Sequence, residues 1–389
     1  MSNFHIFSFM VSSFLKEVNA LDSFTYSFPA IRGIQAGREY YISMCPLKLI
    51  PKIFIYDEST LPPQLRAQRT LNRARIPEIA QYLVNNPKDY VFSAISASIS
   101  GAPVTFIPAG ETGMETKIGA IVIPMDAQFI INDGQHRRAA IEAALTERPD
   151  LGNETIAVVF FIDTGLKRSQ QIFSDLNRHA VRPTKSISIL YDYRDPFARF
   201  ILDLAGTVPL FKGFTELEKT TISNRSIKMF TLSSLYQGTQ ELLNKKKKNK
   251  HLTSEEGNLA REFWEEISKN IPDWEQLIKH KVSSSDLRNE FVHAHGLALH
   301  ALGIMGHTLI KQHPDDWKQQ LQQLQQIDWS RSNEQVWEGR AMNNGRISKA
   351  QMNLTLTANY LKQVIKLPLT IEEEKVEKRF LKQIHGKER

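Results

Sequence analysis

The chain has 389 residues, 41% hydrophobic and 23% charged, with 19 Gly and 17 Pro; this is globular composition, long enough for two domains, and it excludes collagenous, low-complexity and mainly disordered chains. A single cysteine, Cys45, closes no intrachain disulfide and excludes a Cys-based zinc site or an iron–sulfur cluster, which suits a reducing cytosol. The formal charge of +7 is confined: residues 161–250 hold 16 Lys+Arg against 8 Asp+Glu, and the rest of the chain sums to −1, which points to an anionic partner such as nucleic acid, with a solvated basic face as the other reading.

The first apolar stretch, residues 4–15, is interrupted by His5, Ser8, Ser12 and Ser13 and falls short of the roughly 20 residues of a membrane span. No Lys or Arg precedes it and no small-residue cleavage site follows it, so the expectation is a soluble cytoplasmic protein without a membrane partner. Short strands are predicted over 30–35, 39–44 and 53–56, from Ile, Tyr and Phe between turn residues. Apolar residues at 76, 79, 80, 83 and 84 then follow the i, i+3, i+4, i+7, i+8 stripe of a helix, with Pro77 in its first turn. Further strands are predicted over 91–98, 104–107, 118–123, 129–131 and 155–162, and helices over 135–145 and 166–177. From about Ser186 the strand signal fades. Helices are predicted over 187–205 with an interruption at Pro196, then over 231–243, 254–267, 286–310, 315–327 and 349–364. The tail from Glu372 mixes charges at helical spacing and reads as a lightly packed helix. The fold class is α+β. A mixed-sheet domain over 25–190 precedes a mostly α-helical domain over 191–389, and the run Lys245, Lys246, Lys247, Lys248 belongs on a basic loop near 245–251, because like charges repel within a helix.

Asp133-Gly134-Gln135-His136-Arg137-Arg138 stands at a strand-to-helix junction. Gly there permits close backbone approach, the first helical N–H groups are unpaired, and Arg137 or Arg138 can fork two hydrogen bonds to a phosphate. Ionised Asp133 opposes a bare anion, so its roles are to cap the helix, orient Arg137 or hold a metal ion that travels with phosphates. A plain strand–turn–helix with its arginines in surface ion pairs fits the same residues.

The string Asp133-Gly134-Gln135-His136-Arg137 resembles the name-giving motif of the DGQHR-domain proteins, themselves similar to the ParB/sulfiredoxin-like fold, whose Gly-x-x-Arg turn binds nucleotide phosphates. Residues 75–83, 173–177, Arg182-Pro183, 290–293 and 337–367 resemble the flanking segments of the DndB members of that group, so the likeness covers nearly the whole chain. The resemblance implies a DNA-binding transcriptional regulator or accessory of DNA phosphorothioate (sulfur) modification that binds ATP or CTP with magnesium. Its partners would be operon-promoter DNA, other phosphorothioation proteins or a second copy. A nucleotide triphosphatase and a non-catalytic scaffold remain as alternatives. Sulfiredoxins carry a catalytic Cys where this chain has Gln135, so neither sulfinic-acid repair nor sulfur transfer is expected.

Phosphate binding is expected from Gly134, Gln135, His136, Arg137 and Arg138, with Arg75, Asn177 and Arg178 completing the pocket. Asp133, Gln135 and His136 are the catalytic candidates if hydrolysis occurs. DNA contacts are expected from Lys167, Arg168, Arg182, Lys185, Lys245, Lys246, Lys247 and Lys248. His293, His300 and His307 share a helical face, but at 1.5 Å per residue successive members stand about 10.5 Å apart, too far for one metal. They are read as interior histidines. Phe291, Leu297, Leu302, Met305 and Leu309 mark a buried helix, with Gly296, Gly303 and Gly306 allowing close packing.

Overall fold

Between residues 38 and 46, Tyr41, Ser43 and Cys45 are buried while Ile42 and Met44 are exposed, the period-2 pattern of a strand with one covered face. The computed structural model describes residues 24–54, 73–162, 168, 171–172, 174–176, 183–245 and 251–387. It divides into two units, Met1–Val181 and Arg182–Arg389.

The first unit is built on a seven-stranded mixed sheet: β1 (Thr25–Gln35), β2 (Arg38–Pro46), β3 (Ile95–Ser100), β4 (Thr105–Pro108), β5 (Ile118–Pro124), β6 (Gln128–Asp133) and β7 (Thr155–Ile162). The order is β4-β5-β1-β2-β7-β3-β6. The β3–β7 pair is parallel, and its neighbours are antiparallel. Helices α1 (Ile76–Asn85) and α2 (Gln135–Glu147) set Ala80, Leu83, Ala140, Ile141 and Ala144 into one core with Ile95, Val158 and Phe160.

The second unit is helical: α3 (Lys185–Leu190), α4 (Pro196–Thr207), α5 (Leu232–Leu242), α6 (Ser254–Lys269), α7 (Pro272–Ile278), α8 (Ser284–Glu290), α9 (Gly296–Gln312), α10 (Gln351–Val364) and α11 (Ile371–Lys387). Its core holds Phe263, Trp264, Trp274, Leu299 and Leu302. Gly303 of α9 lies so close to the Gly238 carbonyl of α5 that a Cβ has no room, so the two backbones touch there. Among the described residues no helix is long and apolar enough to cross a membrane.

Three expectations are corrected. The strand over 53–56 gives way to a helical turn, Ile50–Ile53, because Pro51 presets helical φ in its first turn; residues 55–56 lie outside the described ones. The helix over 286–310 is two, α8 and α9, since Phe291 turns to extended geometry to bridge Ser330 and the Val292 N–H donates to the Trp329 carbonyl. The interruption expected at Pro196 is present: α4 begins there, and the Asp195 carboxylate accepts from the Phe197 N–H at 2.9 Å. The tail is not lightly packed. Phe380 of α11 is 6% exposed, and Glu377 forms an ion pair with Arg340 in which both side chains are buried.

Candidate functional site: the turn between β6 and α2

β6 ends at Asp133, and the chain enters α2 through Gly134, at φ +110° and ψ 11°. L-residues rarely adopt that φ, and a Cβ at Gly134 would stand 3.0 Å from the Ile95 side chain and 3.1 Å from Arg137 Nη2. Glycine is favoured by conformation, and a side chain there would crowd Ile95 and Arg137. It occupies the N-cap position expected for Asp133, and no side chain caps the helix, so the positive end of the helix dipole faces the turn.

Asp133 orients Arg137 instead. Arg137 Nη2 donates to Asp133 Oδ2 at 2.7 Å and to the Ala94 carbonyl at 3.0 Å. The Arg137 side chain is 20% exposed, and its Nε is buried with no hydrogen-bond partner among the described residues. A buried donor without an acceptor is costly, on the order of 1–3 kcal/mol, and an oxyanion would remove that cost.

Arg138, one residue on, is occupied. Its Nε donates to the Phe54 carbonyl at 2.9 Å, its Nη2 to the Pro51 carbonyl at 3.2 Å, and its Nη1 pairs with Glu142. It braces the Ile50–Ile53 turn against α2. Burial pushes the His136 pKa below its usual value, and the positive charges of Arg75 and Arg137 push it the same way against Asp133. The turn thus gathers a neutral imidazole, two guanidiniums and one carboxylate, with exposed Arg75 directly preceding α1.

Of the other expected residues, Lys167, Asn177, Arg178, Arg182, Lys246, Lys247 and Lys248 lie outside the described residues. Arg168 lines an open cavity of about 310 Å³ with Arg38, Tyr40 and Phe161. Lys185 opens α3 and is exposed. Lys245 turns inward, its Nζ donating to the His251 carbonyl at 2.7 Å and to Glu256 at 2.6 Å. His293 is buried between Trp274, whose Nε1 donates to its Nδ1 at 2.9 Å, and Asp273. His300 meets Glu241, and His307 the Leu242 carbonyl. Ile95 and the Ala94 carbonyl, which floor the turn, were not anticipated, because their only signal is apolar strand sequence some 40 residues upstream.

A family model described as DndB, DNA-sulfur modification-associated, matches residues 28–368. No curated protein matches the chain, and no solved structure does.

Proposed function

The chain belongs to the DndB family of DNA-sulfur modification-associated proteins, and on that basis we propose that it is a DNA-binding regulator of the modification system, gated by a nucleotide at the turn between β6 and α2. The family gives a role in DNA sulfur modification. The observation that carries the nucleotide is the buried Nε of Arg137, unpartnered among the described residues, beside a glycine whose φ of +110° L side chains rarely adopt. These residues fit a phosphate: the guanidinium supplies the counter-charge, and the opening of α2 supplies a favourable dipole. Asp133, already held by Arg137, neutralises the cation until the ligand arrives, so magnesium would come bound to the phosphates of ATP or CTP. Promoter DNA is assigned to the basic surplus of residues 161–250, with Lys167, Arg168, Arg182, Lys185 and the Lys246 to Lys248 run as its expected contacts, Lys245 being held inward by Glu256. Nucleotide hydrolysis is a second reading, favoured by the depressed pKa of His136, which leaves a neutral imidazole at pH 7 to accept a proton from water.

Thermal unfolding with ATP–Mg²⁺ or CTP–Mg²⁺ tests the gate. Wild type is expected to gain stability by RT ln(1 + [L]/Kd), about 2.7 kcal/mol at one hundred times Kd, and Arg137→Ala to gain almost none. Phosphate release by wild type and not by His136→Ala would add the hydrolase. No shift with either nucleotide overturns the gate.

A further inference from the structure

Arg288 of α8 is 8% exposed, yet among the described residues its guanidinium meets no carboxylate. Its partners are carbonyl oxygens: Ser223 at 3.0 Å, Asn224 at 2.9 Å, Ser226 at 3.0 Å and Lys228. Two neighbours extend the pattern. Ser284 Oγ donates to the Ile227 carbonyl at 2.7 Å, and Ser285 Oγ to that of Asn224 at 2.6 Å. Five of the six carbonyls of residues 223–228 are thereby drawn to α8.

A trans peptide carries its N–H opposite its C=O, so the amides joined to those carbonyls face away from α8. Two of them are taken up inside the fold, Lys228 by Ser226 Oγ at 3.1 Å and Met229 by the Phe214 carbonyl at 2.7 Å. Those of Asn224, Arg225 and Ile227 bond to nothing among the described residues, and all three residues are exposed. Outward-facing successive amides form an anion-binding concavity, and a buried cation behind them, lacking a counter-ion, adds to the positive field. Glu216, on the same excursion of chain, is engaged elsewhere, accepting from the amides of Glu218 and Lys219 at 3.1 and 3.2 Å.

We propose that residues 223–228 are a phosphate-binding loop, which takes a phosphodiester of duplex DNA on the amides of Asn224, Arg225 and Ile227 with the Arg225 guanidinium beside them. Arg288 is the positioning residue. Backbone amides of this kind fix a protein's register on DNA without reading sequence. The proposal rests on the DNA-binding reading above and places a contact apart from the residues assigned there.

The full chain is titrated with a labelled duplex at several salt concentrations, and its thermal unfolding is followed with inorganic phosphate. Arg225→Glu is expected to lower duplex affinity about tenfold and to make the log–log salt slope shallower by about 1. Arg225 is exposed, so the fold survives the change. Arg288→Met, with Arg225 intact, is expected to weaken binding as well and to speed amide exchange in residues 223–228. If wild type binds the duplex and Arg225→Glu stays within twofold of it, the loop proposal is overturned and the DNA-binding reading stands. If wild type binds no duplex, while phosphate stabilises it and not Arg225→Glu, the loop takes free phosphate and the DNA-binding reading fails. If neither ligand acts, both fail.

Discussion

Arg137 and Arg340 are both arginines facing a carboxylate, and they end differently. At the turn the pair is open: Asp133 is half exposed, one guanidinium nitrogen meets it, and Nε is left over. Beneath α11 the pair is closed. Arg340 holds both oxygens of Glu377, the two side chains are 10% and 8% exposed, and Asn359 Nδ2 donates to the same carboxylate at 3.3 Å. Lys362, 3% exposed, closes a second pair with Glu373 at 2.7 Å. Buried cations tied to a carboxylate of a neighbouring helix hold one element against another. A cation with a donor to spare beside a helix N-terminus is what the proposed nucleotide gate rests on.

The largest effect should come from opening a closed pair. Glu377→Ala leaves Arg340 buried and uncompensated, which typically costs about 3–5 kcal/mol. Urea unfolding should show this loss in the transition of the helical unit and α11 should become protease-sensitive. A loss below about 1 kcal/mol would break the comparison, because a closed pair would then hold nothing.

Next comes a cation that the fold does not tolerate. Burial above all, joined by the positive charges of Arg331 and Arg288 and opposed by one favourable bond to the Arg288 carbonyl, lowers the His295 pKa to about 4. The folded pKa lies below the unfolded value of about 6.5. The neutral ring therefore contributes stability that is complete above pH 6.5 and is lost as pH falls from 6.5 towards 4. At about 1.4 kcal/mol per pH unit this amounts to about 3 kcal/mol. His295→Gln should flatten that part of the stability–pH curve of the helical unit; an unchanged slope would assign it to other groups.

These cases show what the sequence carries. Strands and helices with one covered face were legible from their periods, β2 and α1 among them, because burial on one side writes itself into spacing. The β6–α2 turn was legible because Asp133, Gly134 and Arg137 lie within one helical turn of each other. Residues 53–56 misled, since an apolar run has strand character and Pro51 acts two residues earlier. Arg138 and Arg288 were beyond reading for a different reason: their partners are backbone carbonyls 84 to 87 and 60 to 65 residues away, and a carbonyl leaves no mark on residue type. The Arg340–Glu377 pair spans 37 residues, so neither charge announces the other, and the tail reads in sequence as a lightly packed helix.

The smallest effect separates the two adjacent arginines of α2. Arg138→Ala strips the Phe54 and Pro51 carbonyls of their donor, and Phe54 is 1% exposed. An orphaned buried acceptor costs about 1–3 kcal/mol, so the sheet unit should lose about that much. Arg137→Ala removes a half-exposed i,i+4 pair, typically about 0.3–0.5 kcal/mol, and one bond to Ala94. It also removes a buried donor that had no acceptor, which offsets the loss. The net change should stay under about 1 kcal/mol, with Ala well suited to the first turn of α2. Paired urea titrations of the two variants decide the matter. Should Arg137→Ala cost as much as Arg138→Ala, Arg137 is a brace like its neighbour, and the open pair at the turn is part of the fold and not a seat for phosphate.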